Sequence, residues 1–393
     1  MTPTYNSNGT TITGILHMAL ELGATSWKLG FTSGHGEKPR LRSIHAGDTS
    51  ALKIEIDKAK KRFHLPPEAR VVSCYEAGRD GFWLHRYLLT QQIQNIIVDS
   101  SSIEVNRRKR RAKSDSLDAA SLVTMLVRYH AGETRVWSVV RVPSASAEDE
   151  RQLHRDLESL KDERTEHSNR IKGLLISQGL LLDDVKSDFT DWLQEARLWD
   201  GSPVPADLHK RLLREYERWQ LVDRHIKDLE KERRERIRQG KTDNIDRVRR
   251  LLLLRGIGLN GAWLLVYELF GWRRFRNRKE VGGCAGLTPT PYQSGRSERE
   301  QGISKAGNRR LRRLLVELGW CWLQWQPDSA LSQWYAKRFA AGNARSRKVG
   351  IVALARKLLV ALWKYLEKGE IPAGCKIVTW ESKVGMKPQG VAA

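Results

Sequence analysis

Four carboxylates and one serine are the residues in this sequence whose types and spacing could do chemistry. Glu21 stands in the alternating stretch Leu16-His-Met-Ala-Leu-Glu-Leu22, and Glu76 closes Val71-Val-Ser-Cys-Tyr-Glu76 just before Ala77-Gly78. Asp115 and Asp118 lie three residues apart in a helical pattern, hence on one face. Converging carboxylates repel one another unless a divalent cation sits among them, and hard oxygen ligands suit Mg²⁺ or Mn²⁺. Two such ions can stabilise both the attacking and the leaving oxygen at a phosphodiester. Each acid also has a plainer reading on its own. Asp115 and Asp118 in a first helical turn favour the helix dipole, and Glu21 can face water from a strand. Four acids at compatible places on one topology are what point to a site.

Ser294 lies in the stretch 286–308, Gly-Leu-Thr-Pro-Thr-Pro-Tyr-Gln-Ser-Gly-Arg-Ser-Glu-Arg-Glu-Gln-Gly-Ile-Ser-Lys-Ala-Gly-Asn. Two prolines and four glycines predict a loop with a turn, running into a basic helix over 309–323. By itself a serine before Gly295 is a turn residue; Tyr292 and Ser297 are the neighbouring hydroxyls. Lys305, Arg309 and Arg310 are candidate phosphate ligands. The run Asn106-Arg-Arg-Lys-Arg-Arg-Ala-Lys113 leads straight into Asp115. It is either a solvated loop or a clamp in which Arg107, Arg108, Arg110, Arg111 and Lys113 bring an anionic backbone to an anionic site. Leu254-Arg-Gly256-Ile-Gly258 resembles a helix-hairpin-helix turn, whose backbone N–H groups would meet a DNA phosphate; a plain turn between helices is the other reading.

The elements that must position these residues follow from hydropathy period. Residues 15–131 read β-β-β-α-β-α-β-α, the element order of the RNase H-like fold, in which ligands sit at the carboxyl ends of the parallel strands. Asp48 is the expected N-cap of the first helix. Over 146–240, Leu153, Leu157, Leu160, Ile171 and Leu174 form one stripe, and Leu208, Leu212, Trp219, Val222, Ile226 and Leu229 form another. Together they predict an antiparallel coiled-coil hairpin, which either packs within the chain alone or serves as a dimerisation arm, the reading favoured here. Residues 242–374 predict a helical domain. One of its helices buries Leu311, Leu314, Leu315, Leu318, Trp322 and Trp325, and Asn343 caps its last helix. The tail from Ile371, with its mixed Gly, Pro and Lys, is expected to be mobile. The fold class is therefore α/β followed by mainly α.

Lys and Arg number 69 against 46 Asp and Glu, 69 − 46 = +23 over 393 residues. That excess favours a polyanionic partner through counterion release. The rival polyanion is a membrane surface, but no apolar run of about 18 residues and no secretory signal pattern is present. The four cysteines are far apart, without zinc-site spacing, as expected of thiols in a reducing cytoplasm.

The blocks Tyr75-Glu76-Ala-Gly78, Lys113-Ser-Asp115-Ser-Leu-Asp118-Ala119, Leu254-Arg-Gly-Ile-Gly258, and Gly286-Leu-Thr-Pro289 with Ser294-Gly295 and Gly302-Ile-Ser-Lys-Ala-Gly-Asn308-Arg-Arg-Leu-Arg312 carry a resemblance over nearly the whole chain. The chain resembles the DEDD-type insertion-sequence transposases with a catalytic serine, also called bridge-RNA-guided recombinases. The resemblance implies an RNase H-like (Holliday-junction-resolvase-like) domain holding Mg²⁺ on Glu21, Glu76, Asp115 and Asp118. It also implies a C-terminal transposase domain with Ser294 as nucleophile, donor and target DNA as substrates, and a structured element RNA as guide. A homo-oligomer, dimer or tetramer, would assemble the site from two protomers in the bacterial cytoplasm, on the nucleoid. At the first acidic position the family carries aspartate, where this chain has Glu21. Two alternatives stand beside this reading. One is a metal-dependent, structure-specific DNA nuclease, junction-resolvase-like, without a serine intermediate. The other is an inactive nucleic-acid-binding relative.

Overall fold

The computed structural model describes residues 14–78, 81–103, 115–294, 297–305 and 307–385. The chain divides into two compact units, Met1–Val142 and Pro143–Ala393. The basic run 106–113 lies outside the described residues, so Arg107, Arg108, Arg110, Arg111 and Lys113 have no structural counterpart below.

The first unit is a mixed five-stranded sheet with helices on both faces. Strands β1 (Leu16–Leu22), β2 (Ser26–Thr32) and β3 (Arg40–His45) form an antiparallel meander. Helix α1 (Thr49–Arg62), capped by Asp48 accepting from the Ala51 N–H at 2.8 Å, returns the chain to β4 (Val71–Glu76). Helix α2 (Trp83–Thr90) leads to β5 (Gln94–Val98), and α3 (Asp115–His130) closes the order expected from sequence. The strand order is β3-β2-β1-β4-β5, with β4 parallel to both β1 and β5. Leu16, Met18, Leu20 and Tyr75 pack with Leu52, Ile56, Leu84 and Leu88 on one face. Ala19, Val72 and Cys74 pack with Leu122, Val123 and Leu126 of α3 on the other. α3 lies close enough to β2 that a Cβ on Gly30 would come 2.8 Å from the Ala119 carbonyl oxygen, so only glycine fits without a shift.

In the second unit, α4 (Ala145–Asp149) precedes the long α5 (Gln152–Ile176). A connector holding α6 (Phe189–Glu195) leads to α7 (Ala206–Gln239). Helices α5 and α7 run antiparallel, as the partners 161 with 230, 164 with 223 and 170 with 215 show. Leu157, Val222 and Ile226 are buried between them, and Ile171, Leu175, Leu212 and Tyr216 pack with Phe189 of α6. Charges are buried there as well. Glu215 accepts from Arg170 (2.6 Å) and Arg218 (3.0 Å) and meets the His167 ring at 2.6 Å. Burial raises its pKa, but the His167 and Arg170 contacts outweigh burial and hold it below the usual carboxylate range.

The helical core of this unit begins with α8 (Asp243–Leu253) and α9 (Leu259–Leu265), which continues into a π-helical turn, Val266–Phe270. It goes on through α10 (Arg278–Cys284), the strands β6 (Pro289–Ser294) and β7 (Ser297–Ile303), and α11 (Arg309–Trp325). Helix α12 (Ala330–Tyr335), with a second π turn Ala336–Ala340, precedes α13 (Ala344–Lys368) and α14 (Trp380–Lys383). Asn343 caps α13 as expected, accepting from the Ser346 N–H at 2.9 Å. Two expectations are corrected here. Trp325 is not core: it is 43% exposed, and the Arg255 guanidinium lies over its ring. The tail is not free: Val378 N–H donates to the Leu253 carbonyl at 2.8 Å, and the Arg249 guanidinium covers Trp380.

Candidate active site

The strand register decides where the acids go. Leu20 pairs with Tyr75 across the parallel β1–β4 ladder, so the next step sets Glu21 beside Glu76 at the carboxyl ends of two adjacent strands. Residues level with one another on parallel strands face the same side. Met18, Leu20 and Tyr75 belong to the α1–α2 face, so Glu21 and Glu76 belong to the α3 face with Ala19 and Cys74. Helix α3 runs against β1. Its last residue, His130, meets His17 at 3.1 Å near the start of β1, and Ala119 lies against Gly30, the partner of Ala19. The first turn of α3 therefore sits at the carboxyl end of the sheet, which puts Glu21, Glu76 and Asp118 at one end of one face. Glu21, Glu76 and Asp118 are all half-buried. The Asp115 side chain lies outside the described residues. Among the described residues no group of three or more His, Cys, Asp or Glu side chains is arranged to hold a metal ion as it stands. The donors are nonetheless hard carboxylate oxygens, the chemistry Mg²⁺ and Mn²⁺ prefer. Cys74 adds nothing reactive. Burial first, and the charge of Glu76 second, push its thiol pKa well up, so it stays protonated.

The stretch expected to be a loop is a hairpin. β6 and β7 pair antiparallel, and Ser294 opposite Ser297 is the last pair before the turn. Two prolines argued against a strand. A two-stranded ribbon, however, leaves one edge of each strand unpaired, where proline's missing N–H costs nothing, and the register shifts between Pro289 and Pro291. Ser294 thus stands at the tip; its side chain lies outside the described residues.

The base of the hairpin is closely tied. Ser304 N–H donates to Thr288 O (2.8 Å), Lys305 N–H to Gly286 O (3.1 Å) and Asn308 N–H to Cys284 O (3.1 Å). Gly307 has φ +95°, and a Cβ there would collide with the Cys284 carbonyl. Asn308 caps α11, its Oδ1 accepting from Arg310 N–H (2.9 Å) and Leu311 N–H (3.3 Å). Its Nδ2 donates to Glu268 Oε2 at 3.3 Å. Glu268, buried in the π turn, also accepts from Arg155 Nε at 2.8 Å and Arg155 Nη2 at 3.2 Å, with Arg151 at 3.9 Å. Burial pushes its pKa up, but the Arg155 bonds and the nearby charges prevail and keep it ionised. Sequence reasoning missed Glu268, although a signal existed: a lone carboxylate in Trp263-Leu-Leu-Val-Tyr-Glu-Leu-Phe270 must find a cation when buried. Of the phosphate candidates, Lys305 and Arg309 are exposed, whereas Arg310 is paired with Glu158 at 3.0 Å.

The Gly256-Ile-Gly258 turn joins α8 to α9. Gly256 has φ +89° and backs onto the Cys321 carbonyl, Ile257 is buried, and Gly258 faces open space. The turn is held through its carbonyls. Lys383 Nζ donates to Leu254 O and Ile257 O, both at 2.9 Å, and Gln326 Nε2 donates to Arg255 O at 2.8 Å. Burial lowers the Lys383 pKa to about 8.

Residues 248–334, which run from α8 through the Ser294 hairpin to α12, match the transposase IS116/IS110/IS902 family. "Putative transposase y4rJ" of Sinorhizobium fredii (strain NBRC 101917 / NGR234) is 39% identical over 378 residues, covering 93% of this chain and 95% of that one. The chain belongs to the IS116/IS110/IS902 family of transposases. A second relative of this transposase, "Transposase for insertion sequence element IS1328" of Yersinia enterocolitica, is 25% identical over 221 residues, 56% of this chain and 63% of that one. DNA is the partner such a family implies. Among the described residues, no helix of the transposase is long and apolar enough to cross a membrane.

Proposed function

We propose that this insertion-sequence transposase cuts and rejoins DNA strands through a phosphoserine link at Ser294, supported by an acidic site of Glu21, Glu76, Asp115 and Asp118 in an RNase H-like domain. The observation that supports the reading is the β1–β4 register, which sets Glu21 beside Glu76 at the carboxyl end of the sheet face that the first turn of α3, with Asp118, also reaches. Bound there, Mg²⁺ or Mn²⁺ would neutralise charge on the attacking and leaving oxygens. The Ser294 hydroxyl forms a bond to phosphorus as the phosphorus–oxygen bond to the departing strand breaks. The serine proton goes to solvent or a carboxylate, and the released strand end takes a proton as a free hydroxyl. Reversal, with a hydroxyl from another strand attacking phosphorus, restores serine and joins DNA without ATP, because the link conserves one phosphodiester bond.

In the same reading the cationic run 107–113 and the exposed Lys305 and Arg309 hold phosphates. A structured element RNA selects donor and target, and the α5–α7 pair serves as a coiled-coil arm that joins protomers as a dimer or tetramer on nucleoid DNA in the cytoplasm. Incubation with element DNA, element RNA and Mg²⁺ tests it. A covalent protein–DNA adduct is expected, abolished in Ser294→Ala, retained in Tyr292→Phe, and reduced by about 10³-fold or more in Asp118→Asn. Retained recombination in Ser294→Ala would sink it. One observation favours a second reading, hydrolysis by water alone: Glu21, Glu76 and Asp118 all belong to one compact unit. Cleavage without any adduct, lost in Asp118→Asn and kept in Ser294→Ala, would establish that instead.

A further inference from the structure

Three elements distant in sequence meet at one buried carboxylate. Glu268 comes from the π turn after α9, Arg155 from the first turn of α5, and Asn308 from the junction where the hairpin ends and α11 begins. Asn308 is held three ways: its backbone N–H donates to Cys284 O, its Oδ1 caps α11, and its Nδ2 donates to Glu268. Gly307 is pressed against the Cys284 carbonyl, so a side chain at 307 would force a shift there. One turn further along α5, Glu158 pairs with Arg310 of α11 at 3.0 Å. That second pair is half-exposed and contributes little. Glu268 is 4% exposed, and Arg151, 6% exposed, lies beside it. In that surrounding a neutral residue at 268 leaves two guanidinium groups without their counter-charge.

We propose that Glu268 is a positioning residue for the Ser294 hairpin, tying α5 through Arg155 to Asn308 and so setting the hairpin's base against the long helix pair. The inference rests on the reading of Ser294 as nucleophile. Glu268 touches neither substrate nor the reacting atoms; it acts through Asn308. The consequence is that a displacement of α5, such as pairing with a second copy of the chain could impose, reaches the hairpin base directly.

The test exchanges donor and acceptor. Asn308→Asp keeps the cap oxygen but sets a second carboxylate against Glu268. Adding Glu268→Gln lets the new amide donate to Asp at 308 and conserves the net charge facing Arg151 and Arg155. In the full-length protein, the adduct-forming rate at saturating DNA, normalised to folded protein, is expected to fall about 10-fold or more in Asn308→Asp. It should return to within about 3-fold of the original in the double variant, as expected for directly coupled residues. Amide hydrogen exchange over 304–308 should speed up and recover in the same order, with the β1–β4 ladder unchanged. A double variant no better than Asn308→Asp overturns the proposal, and so does recovery of exchange without recovery of rate. If the unaltered protein forms no adduct, the nucleophile reading has failed separately. Exchange over 304–308 then decides the tie: recovery in the double variant upholds it, and no recovery overturns it.

Discussion

At the scale of residues, two buried histidines make the stability of this transposase depend on acid. Burial, followed by the neighbouring His130, lowers His17 to a pKa of about 4. Burial, followed by Arg233, lowers His154 to about 4 as well. From the ordinary value of 6.5 downward the unfolded chain takes up protons that the folded chain refuses until about pH 4. Stability is therefore full above pH 6.5 and declines from there towards pH 4, by on the order of 1–3 kcal/mol per histidine. Urea unfolding at pH 7, 5.5 and 4.5 should show a falling midpoint, and His154→Leu should remove part of that slope. An unchanged slope in that variant would count against the assignment. At this scale the places of Glu21, Glu76 and Asp118 on their elements were legible, because a strand end and a helix start can be read from period alone. The partners of Glu268 were not, because Arg155 and Asn308 are 113 and 40 residues away.

At the scale of elements, the tail segment behaves as part of the Gly256-Ile-Gly258 turn. Lys383→Met should leave Ile257 O without the Lys383 donor and Leu254 O with the Ile257 N–H alone, at a cost of about 1–3 kcal/mol. Calorimetry should register a lower unfolding temperature, and DNA affinity should drop with it if the turn meets phosphate as the sequence suggests. No change in either measurement would mean that the turn stands without its clamp. The five strands and the long helices were readable because each buries a face with its own period. The β6–β7 hairpin was not, since prolines, glycines and a charged run 296–300 carry no period, and only a partner strand shows which edge is spare. Nor was the tail, whose ordering depends on contacts with α7, α8 and the turn rather than on its own composition.

At the scale of the whole molecule, a net charge of +23 predicts that DNA binding is dominated by counterion release. Raising salt from 50 to 200 mM should weaken binding by about 10³-fold or more if six or more phosphates are neutralised. Filter binding across that range measures it, and a flat dependence would show that the basic groups are spent within the protein. Some visibly are: Arg310, Arg164 and Arg170 are paired with carboxylates of the long helices. Charge counting could not separate those from the cations that face outward.

The hairpin that carries Ser294 is also a measuring rod. Its base is fixed at Cys284, Gly286 and Asn308, and residue 294 ends the ladder, so its reach is set by the number of paired residues. One residue added to each strand would carry the tip about 3.4 Å outward and turn position 294 to the opposite side of the ribbon; two would restore the side and leave the tip about 7 Å further out. Shortening obeys the same parity. Away from the bulge between Pro289 and Pro291, ribbon length changes in paired steps, and with Ser294 in the proposed role a change of one pair should harm adduct formation more than a change of two.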